Sequence, residues 1–87
     1  VNRGVVGTVG QFRTVKDIPL LVRAYGALAR DRRRGLLLAG AFADDDEASW
    51  SAELAAELGL TREMTVTGWF PNAEVGTHLR RMHVYVQ

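Results

Sequence analysis

The 87 residues include no cysteine, which removes disulfides, thiolate nucleophiles and cysteine-ligated zinc at once. Long apolar runs are missing too. The longest, GLLLAGAF at 35–42, falls far short of the ~20 residues needed to cross a bilayer. No basic-then-apolar amino terminus with a small-residue cleavage site is present, so no signal peptide is read, and a cytoplasmic location is the expectation. An excess of one charge sign is also lacking. Eleven Lys and Arg face ten Asp and Glu, a net charge of +1, so no global field draws the chain to nucleic acid, and none is expected as a partner.

What remains is ordinary globular composition, 47% hydrophobic and 24% charged, in a chain long enough for one domain with a small core. Charge is nevertheless clustered, with RDRRR at 30–34 and DDDE at 44–47. Both runs are read as solvated helix ends, because cations suit helix C-termini and anions suit N-termini.

Periodicity divides the chain into alternating elements. Val5 to Val9, β-branched and bounded by glycines, is read as a buried strand. Asp17 or Ile18 then opens a helix with Pro19 in its first turn and an apolar stripe of Leu20, Leu21, Ala24, Tyr25 and Leu28. LLLA at 36–39 is a continuous apolar run, as expected of a strand covered on both faces. ASWSAELAAELGL at 48–60 gives a second helix, with Trp50, Leu54 and Leu58 on one stripe and Gly59 at a left-handed stop. MTVTG at 64–68 is a third strand. A third helix follows, with Asn72 as N-cap and Val75, Leu79 and Met82 on its inner face, and VYV at 84–86 is a fourth strand.

This alternation predicts an α/β, Rossmann-like three-layer arrangement: a parallel sheet of four strands in the order 3-2-1-4, with helices on both faces. The connection then reverses between strands 1 and 4, and open α/β sheets bind ligands beyond the carboxyl ends of the strands at such a point. The sequence starts without methionine and stops on a strand, and it is read as a partial domain of a longer protein.

The stretch TVGQFRTVKDIPLLVRAYGAL at 8–28 places Arg13 and Lys16 between the first strand and its helix. Backbone N–H groups and a helix N-terminus in such a loop suit a phosphate. Arg13 can fork onto two oxygens while Lys16 adds a point charge, so a diphosphate is the best-matched ligand. Two solvated surface cations are the plain alternative. Glycines at 4, 7 and 10 do not form G-x-G-x-x-G, and no G-x-x-x-x-G-K-[ST] is present, which counts against dinucleotide and P-loop readings. His78 and His83 are read as a surface and a helix-capping histidine, Ser49 and Ser51 as helix-start residues, and no metal site is read, Asp44 to Glu47 lacking the glycine-punctuated loop of a calcium site.

Several blocks in order carry a family resemblance: V-G-x-x-x-x-x-K at 9–16, LLVRAY at 20–25, LLLAG at 36–40, AELGL at 56–60, VTGWFPNAEV at 66–75 and LRRMHVYV at 79–86. Along nearly its whole length the chain resembles the nucleotide-binding C-terminal half of GT-B-fold retaining glycosyltransferases of group 1. The resemblance implies a parent enzyme that transfers a sugar from a nucleotide diphosphate sugar to an acceptor hydroxyl with retention, using no cofactor and no metal for the diphosphate. Lys16 matches the family's diphosphate lysine. Gln11 stands where the family has an arginine directly after Gly10, and Arg13 is the substitute candidate. Gly40 is what remains of a G-x-G-P-like turn beside the ligand, and Gly68, Trp69, Phe70 and Pro71 match the turn that lies against the nucleobase. An aromatic pair at a strand's end can itself stack on a base; packing against the third helix is the other reading.

In that family an E-x-x-x-x-x-x-x-E segment completes the donor site, and it is expected shortly after Gln87. An N-terminal domain of the same chain is expected to supply the acceptor site. This segment alone is then expected to be inactive, with no membrane span and with peripheral association open to the parent. A non-catalytic α/β interaction module is the alternative that the fold itself leaves open.

Overall fold

The computed structural model describes residues 5–12 and 17–86. Its strands are β1 (Val5–Val9), β2 (Gly35–Ala39), β3 (Met64–Val66) and β4 (Val84–Tyr85), and its helices are α1 (Ile18–Gly26), α2 (Asp45–Glu57) and α3 (Val75–Leu79). Short 3-10 turns at Arg30–Arg32 and Asn72–Glu74 complete the order. The strands form one sheet, β3-β2-β1-β4, and all three pairings are parallel. Val5↔Gly35 through Val9↔Ala39 set the central register, with Leu36↔Met64 and Val6↔Val84 on its flanks. The predicted strand order is therefore the observed one.

Side chains alternate across a strand, so this register puts Val6, Leu36, Leu38 and Met64 on one face. There they pack with Phe12, Ile18, Val22, Tyr25, Ala55 and Leu60 into the core, which places α1 and α2 on that face. Met82, just past α3, lies against Gly7 on the other face, and α3 itself contacts β1. Two same-handed crossovers in one direction followed by one in the reverse direction give this division.

Local chemistry sets the helix ends. The Asp17 carboxylate accepts from the Leu20 N–H at 3.2 Å, and Asp44 accepts from the Asp46 N–H at 2.8 Å. Helix α2 ends in a Schellman arrangement: the Leu60 N–H donates to the Ala55 carbonyl at 2.7 Å and the Gly59 N–H to Ala56 at 3.1 Å, with Gly59 at φ 72°. That is the left-handed stop expected there.

The expected apolar stripes are met only in part, Tyr25 being buried and Leu21 and Leu54 lying against the core. In α1 the buried positions are Ile18, Val22 and Tyr25, while Leu20 is 61% exposed and Leu28 also faces solvent. In α2 they are Glu47, Ser51 and Ala55, while Trp50 is 69% exposed. Helices α1 and α2 pack side by side, with Leu58 close to Gly26, where the absence of a side chain leaves room for it. Glu47 is thus not part of a solvated run. Nor is Arg33, whose Nε lies 3.6 Å from Glu63 Oε1.

The third helix is shorter than its pattern implies. Asn72 opens a 3-10 turn without any side-chain cap, and α3 buries His78 while Leu79 is exposed. His78 and Leu79 both fall at helical distance from Met82 (four and three residues), and the histidine took the inner place.

Candidate functional site

Parallel strands bring their carboxyl ends to one edge of the sheet. The backbone continues the pairing beyond β1 and β2: the Gly10 N–H donates to Ala39 at 3.1 Å, the Phe12 N–H to Ala41 at 3.0 Å and the Ala43 N–H to Phe12 at 3.0 Å. Phe12 is buried at the base of this extension and meets Phe42 edge-on, ring centroids 5.3 Å apart. Two loops that would otherwise splay are held in contact as they leave the sheet.

Gly40 is where they come nearest. A Cβ on this residue would lie 1.8 Å from the Gly10 carbonyl oxygen, so only glycine permits the approach. A third segment joins through Thr67. Its Oγ1 accepts from the Gly40 N–H at 3.0 Å and donates to the Gly68 carbonyl at 2.9 Å, while its own N–H reaches Leu38 at 3.0 Å. The hydroxyl uses its donor and one acceptor site in tying β3's exit to β2's.

Around these contacts opens a cavity of about 360 Å³, lined by Gly10 and Gln11 after β1, Gly40 and Ala41 after β2, and Trp69 and Phe70 after β3, with Val9, Asn72 and Val75 completing it. The Trp69 indole is 80% exposed at the rim. Phe70 is anchored instead: its ring lies 4.2 Å from that of His78, tilted by 50°. His78 Nδ1 lies 3.5 Å from an Arg81 guanidinium nitrogen, and the ring is 8% exposed. The expected surface histidine is therefore a buried support beneath an aromatic of the cavity.

Of the expected residues, Gly10, Gln11, Gly40, Trp69 and Phe70 converge on this cavity, while Gly68 and Pro71 belong to the same turn without lining it. Arg13 and Lys16 lie outside the described residues. The cavity sits over the ends of β1, β2 and β3, offset from the β1–β4 position where the topology put it. No charged side chain lines it among the described residues. No group of three or more potential metal ligands occurs among the described residues, and no described helix is long and apolar enough to cross a membrane.

The sequence assigned no role to Thr67 and placed His78 at the surface. For Thr67 the signal was present, one residue before the glycine of the turn. For His78 only its helical spacing from Met82 offered one.

The family model described as Glycosyl transferases group 1 matches residues 1–87. The chain belongs to the group 1 glycosyltransferases. Neither the curated proteins nor the solved structures include a significant match. Membership ties this α/β unit to glycosyl transfer.

Proposed function

We propose that the cavity receives the nucleotide end of a nucleotide diphosphate sugar donor, and that the chain is part of the donor-binding domain of a GT-B enzyme. One observation carries this reading. Gly10–Gln11, Gly40–Ala41 and Trp69–Phe70, from three separate strand ends, line a single neutral cavity in a group 1 glycosyltransferase chain. A flat aromatic base fits beside Phe70 with Trp69 stacked over it. The diphosphate is then left to Arg13 and Lys16, which follow Gln11 and Phe12 in the sequence.

As the bond between sugar and diphosphate breaks, negative charge grows on the leaving oxygen. Lys16 and Arg13 stabilise that charge more in the transition state than in the ground state, which is the condition for accelerating the step. The sugar passes to an acceptor hydroxyl with retention, and the acceptor is held by the N-terminal domain of the same protein. The setting proposed is cytoplasmic, with peripheral membrane association where the acceptor is a lipid.

Titration with UDP and with GDP tests the reading. Amide signals of the Gly10–Lys16 and Gly68–Pro71 loops are expected to shift saturably with one of them, and Lys16→Ala is expected to weaken binding about tenfold, the loss of one charge-assisted contact worth ~1.5 kcal/mol. If neither nucleotide moves either loop, the non-catalytic module is the better description. An unchanged affinity in Lys16→Ala removes that residue from the site.

A further inference from the structure

The opposite edge of the sheet has its own character. Parallel topology gathers every segment that enters a strand at the amino-terminal edge, and three of these segments carry arginine: Arg33 and Arg34 ahead of β2, Arg62 ahead of β3, and Arg80 and Arg81 ahead of β4. A second cavity, about 350 Å³ in volume, opens there, with Arg34, Arg62 and Arg81 in its lining beside Leu37, Thr65 and Glu63. The three arginines come to it from three different parts of the chain.

Glu63 is the one carboxylate of that lining, and it is engaged elsewhere. Its Oε1 accepts from the Tyr25 hydroxyl at 2.7 Å and faces Arg33 Nε at 3.6 Å. Among the described residues no carboxylate lies within ion-pairing distance of Arg34, Arg62 or Arg81. Arg34 gives one N–H to the Arg33 carbonyl at 3.2 Å and Arg81 has one nitrogen at 3.5 Å from His78. Each guanidinium has five N–H donors, so most are open to a ligand. Three like charges around one cavity repel one another unless an anion joins them, and the planar fork of arginine matches the oxygens of a phosphate.

We propose that this cavity is a phosphate-binding site, distinct from the strand-end cavity and independent of the function proposed for it. Arg34, Arg62 and Arg81 clamp the oxyanion, and the exposed Thr65 hydroxyl is placed to add a neutral hydrogen bond. The phosphate belongs either to a soluble phosphorylated molecule or to a lipid headgroup.

Inorganic pyrophosphate titrated into the ¹⁵N-labelled full chain is the direct test. The amides of residues 34–37 and 62–65 and the Nε–H signals of Arg34, Arg62 and Arg81 are expected to shift saturably. Arg62→Ala and Arg34→Ala should each weaken binding at least fivefold, Arg62→Lys by less, and Arg23→Ala, on α1, by under twofold. Co-sedimentation with phosphatidylglycerol vesicles, reversed by pyrophosphate and not seen with phosphatidylcholine, assigns the phosphate to a lipid. Pyrophosphate binding without vesicle binding assigns it to a soluble ligand. The proposal is overturned if these signals do not move, if only residues 10–11, 40–41 and 69–72 respond, or if Arg23→Ala weakens binding as much as Arg62→Ala. Nucleotide binding is read on the strand-end loops, so the failure of one proposal is separable from the failure of the other.

Discussion

The Gly40 N–H donates to Thr67 Oγ1 at 3.0 Å, and through that bond the exits of β2 and β3 hold one wall of the strand-end cavity. Thr67→Val keeps the shape and removes the hydroxyl, leaving a buried N–H without its acceptor. A loss of about 1–2 kcal/mol is expected in urea unfolding. Thr67→Ser keeps the hydroxyl and removes only the methyl, so it should lose less; as large a loss in Thr67→Ser as in Thr67→Val would show that the hydrogen bond is not what dominates at this position.

Gly40→Ala addresses the same wall from the backbone side. The new Cβ would stand 1.8 Å from the Gly10 carbonyl oxygen, a group fixed by the β1–β2 ladder. Strain at an unfavourable φ and displacement of packed backbone each cost ~1–3 kcal/mol. The variant should therefore lose at least about 2 kcal/mol, with shifted amides at residues 10–12 and 41–43. Wild-type stability in Gly40→Ala would show that the two loops separate freely.

Tyr25 is buried against the sheet, and its hydroxyl donates to Glu63 at 2.7 Å. Burial first, then the hydrogen bond and charge of Glu63, raise its pKa well above the ordinary value of 10.0. A folded-state pKa above the unfolded one means that the native state holds the proton more tightly. The contribution to stability is complete below the unfolded pKa near 10 and is lost as pH rises beyond it toward the folded value. Unfolding free energy should thus fall above about pH 10, and Tyr25→Phe, itself costing about 0.5–1.5 kcal/mol at neutral pH, should flatten that part of the profile. An unaltered alkaline slope would assign it to other groups.

The two larger helices show what the sequence could convey. Strand order was legible because β-branched and leucine runs alternate with helical patterns, and handedness leaves few ways to connect them. The choice of buried face was not. In α2, Trp50, Leu54 and Leu58 form the more apolar stripe, yet the buried positions are Glu47, Ser51 and Ala55, with Leu54 half-buried against the core and Trp50 exposed. Hydropathy ranks side chains by transfer from water, whereas the angle at which a helix lies on its neighbours decides which of its residues are covered. The strand-end site was legible where it depends on backbone turns, at Gly10, Gly40 and Trp69–Phe70. Its supports were not, because Thr67 and His78 act through pairings between segments far apart in sequence.

Ser51 offers a test of that distinction. Its Oγ is fully buried with no hydrogen-bond partner among the described residues. Removing an unpaired buried hydroxyl relieves a desolvation cost, and alanine is the better helix former by a few tenths of a kcal/mol. Ser51→Ala is therefore expected to raise stability by up to about 1 kcal/mol, and Trp50→Ala on the neighbouring exposed stripe to change it by no more than about 0.5 kcal/mol. Leu60→Ala, in the core, should cost about 2–5 kcal/mol. If Trp50→Ala approached the cost of Leu60→Ala, the indole would be part of the core after all.

Trp69 is the remaining exposed aromatic with a role to test. The chain has two tryptophans, so Trp50→Phe leaves Trp69 as the lone indole reporter. An indole over a bound base is shielded from water and in contact with a quencher, and its emission should fall saturably as UDP or GDP is added. Stacking on one base is worth about 1–3 kcal/mol by alanine substitution, so Trp69→Ala should weaken nucleotide binding roughly 5–150-fold while inorganic pyrophosphate affinity is unchanged. Phe70→Ala acts differently, because that ring also rests on His78, and it should lower stability and nucleotide affinity together. Quenching without any loss of affinity in Trp69→Ala would mean that the indole lies near the base without holding it, and recognition would then rest on the backbone of the Gly68–Pro71 turn.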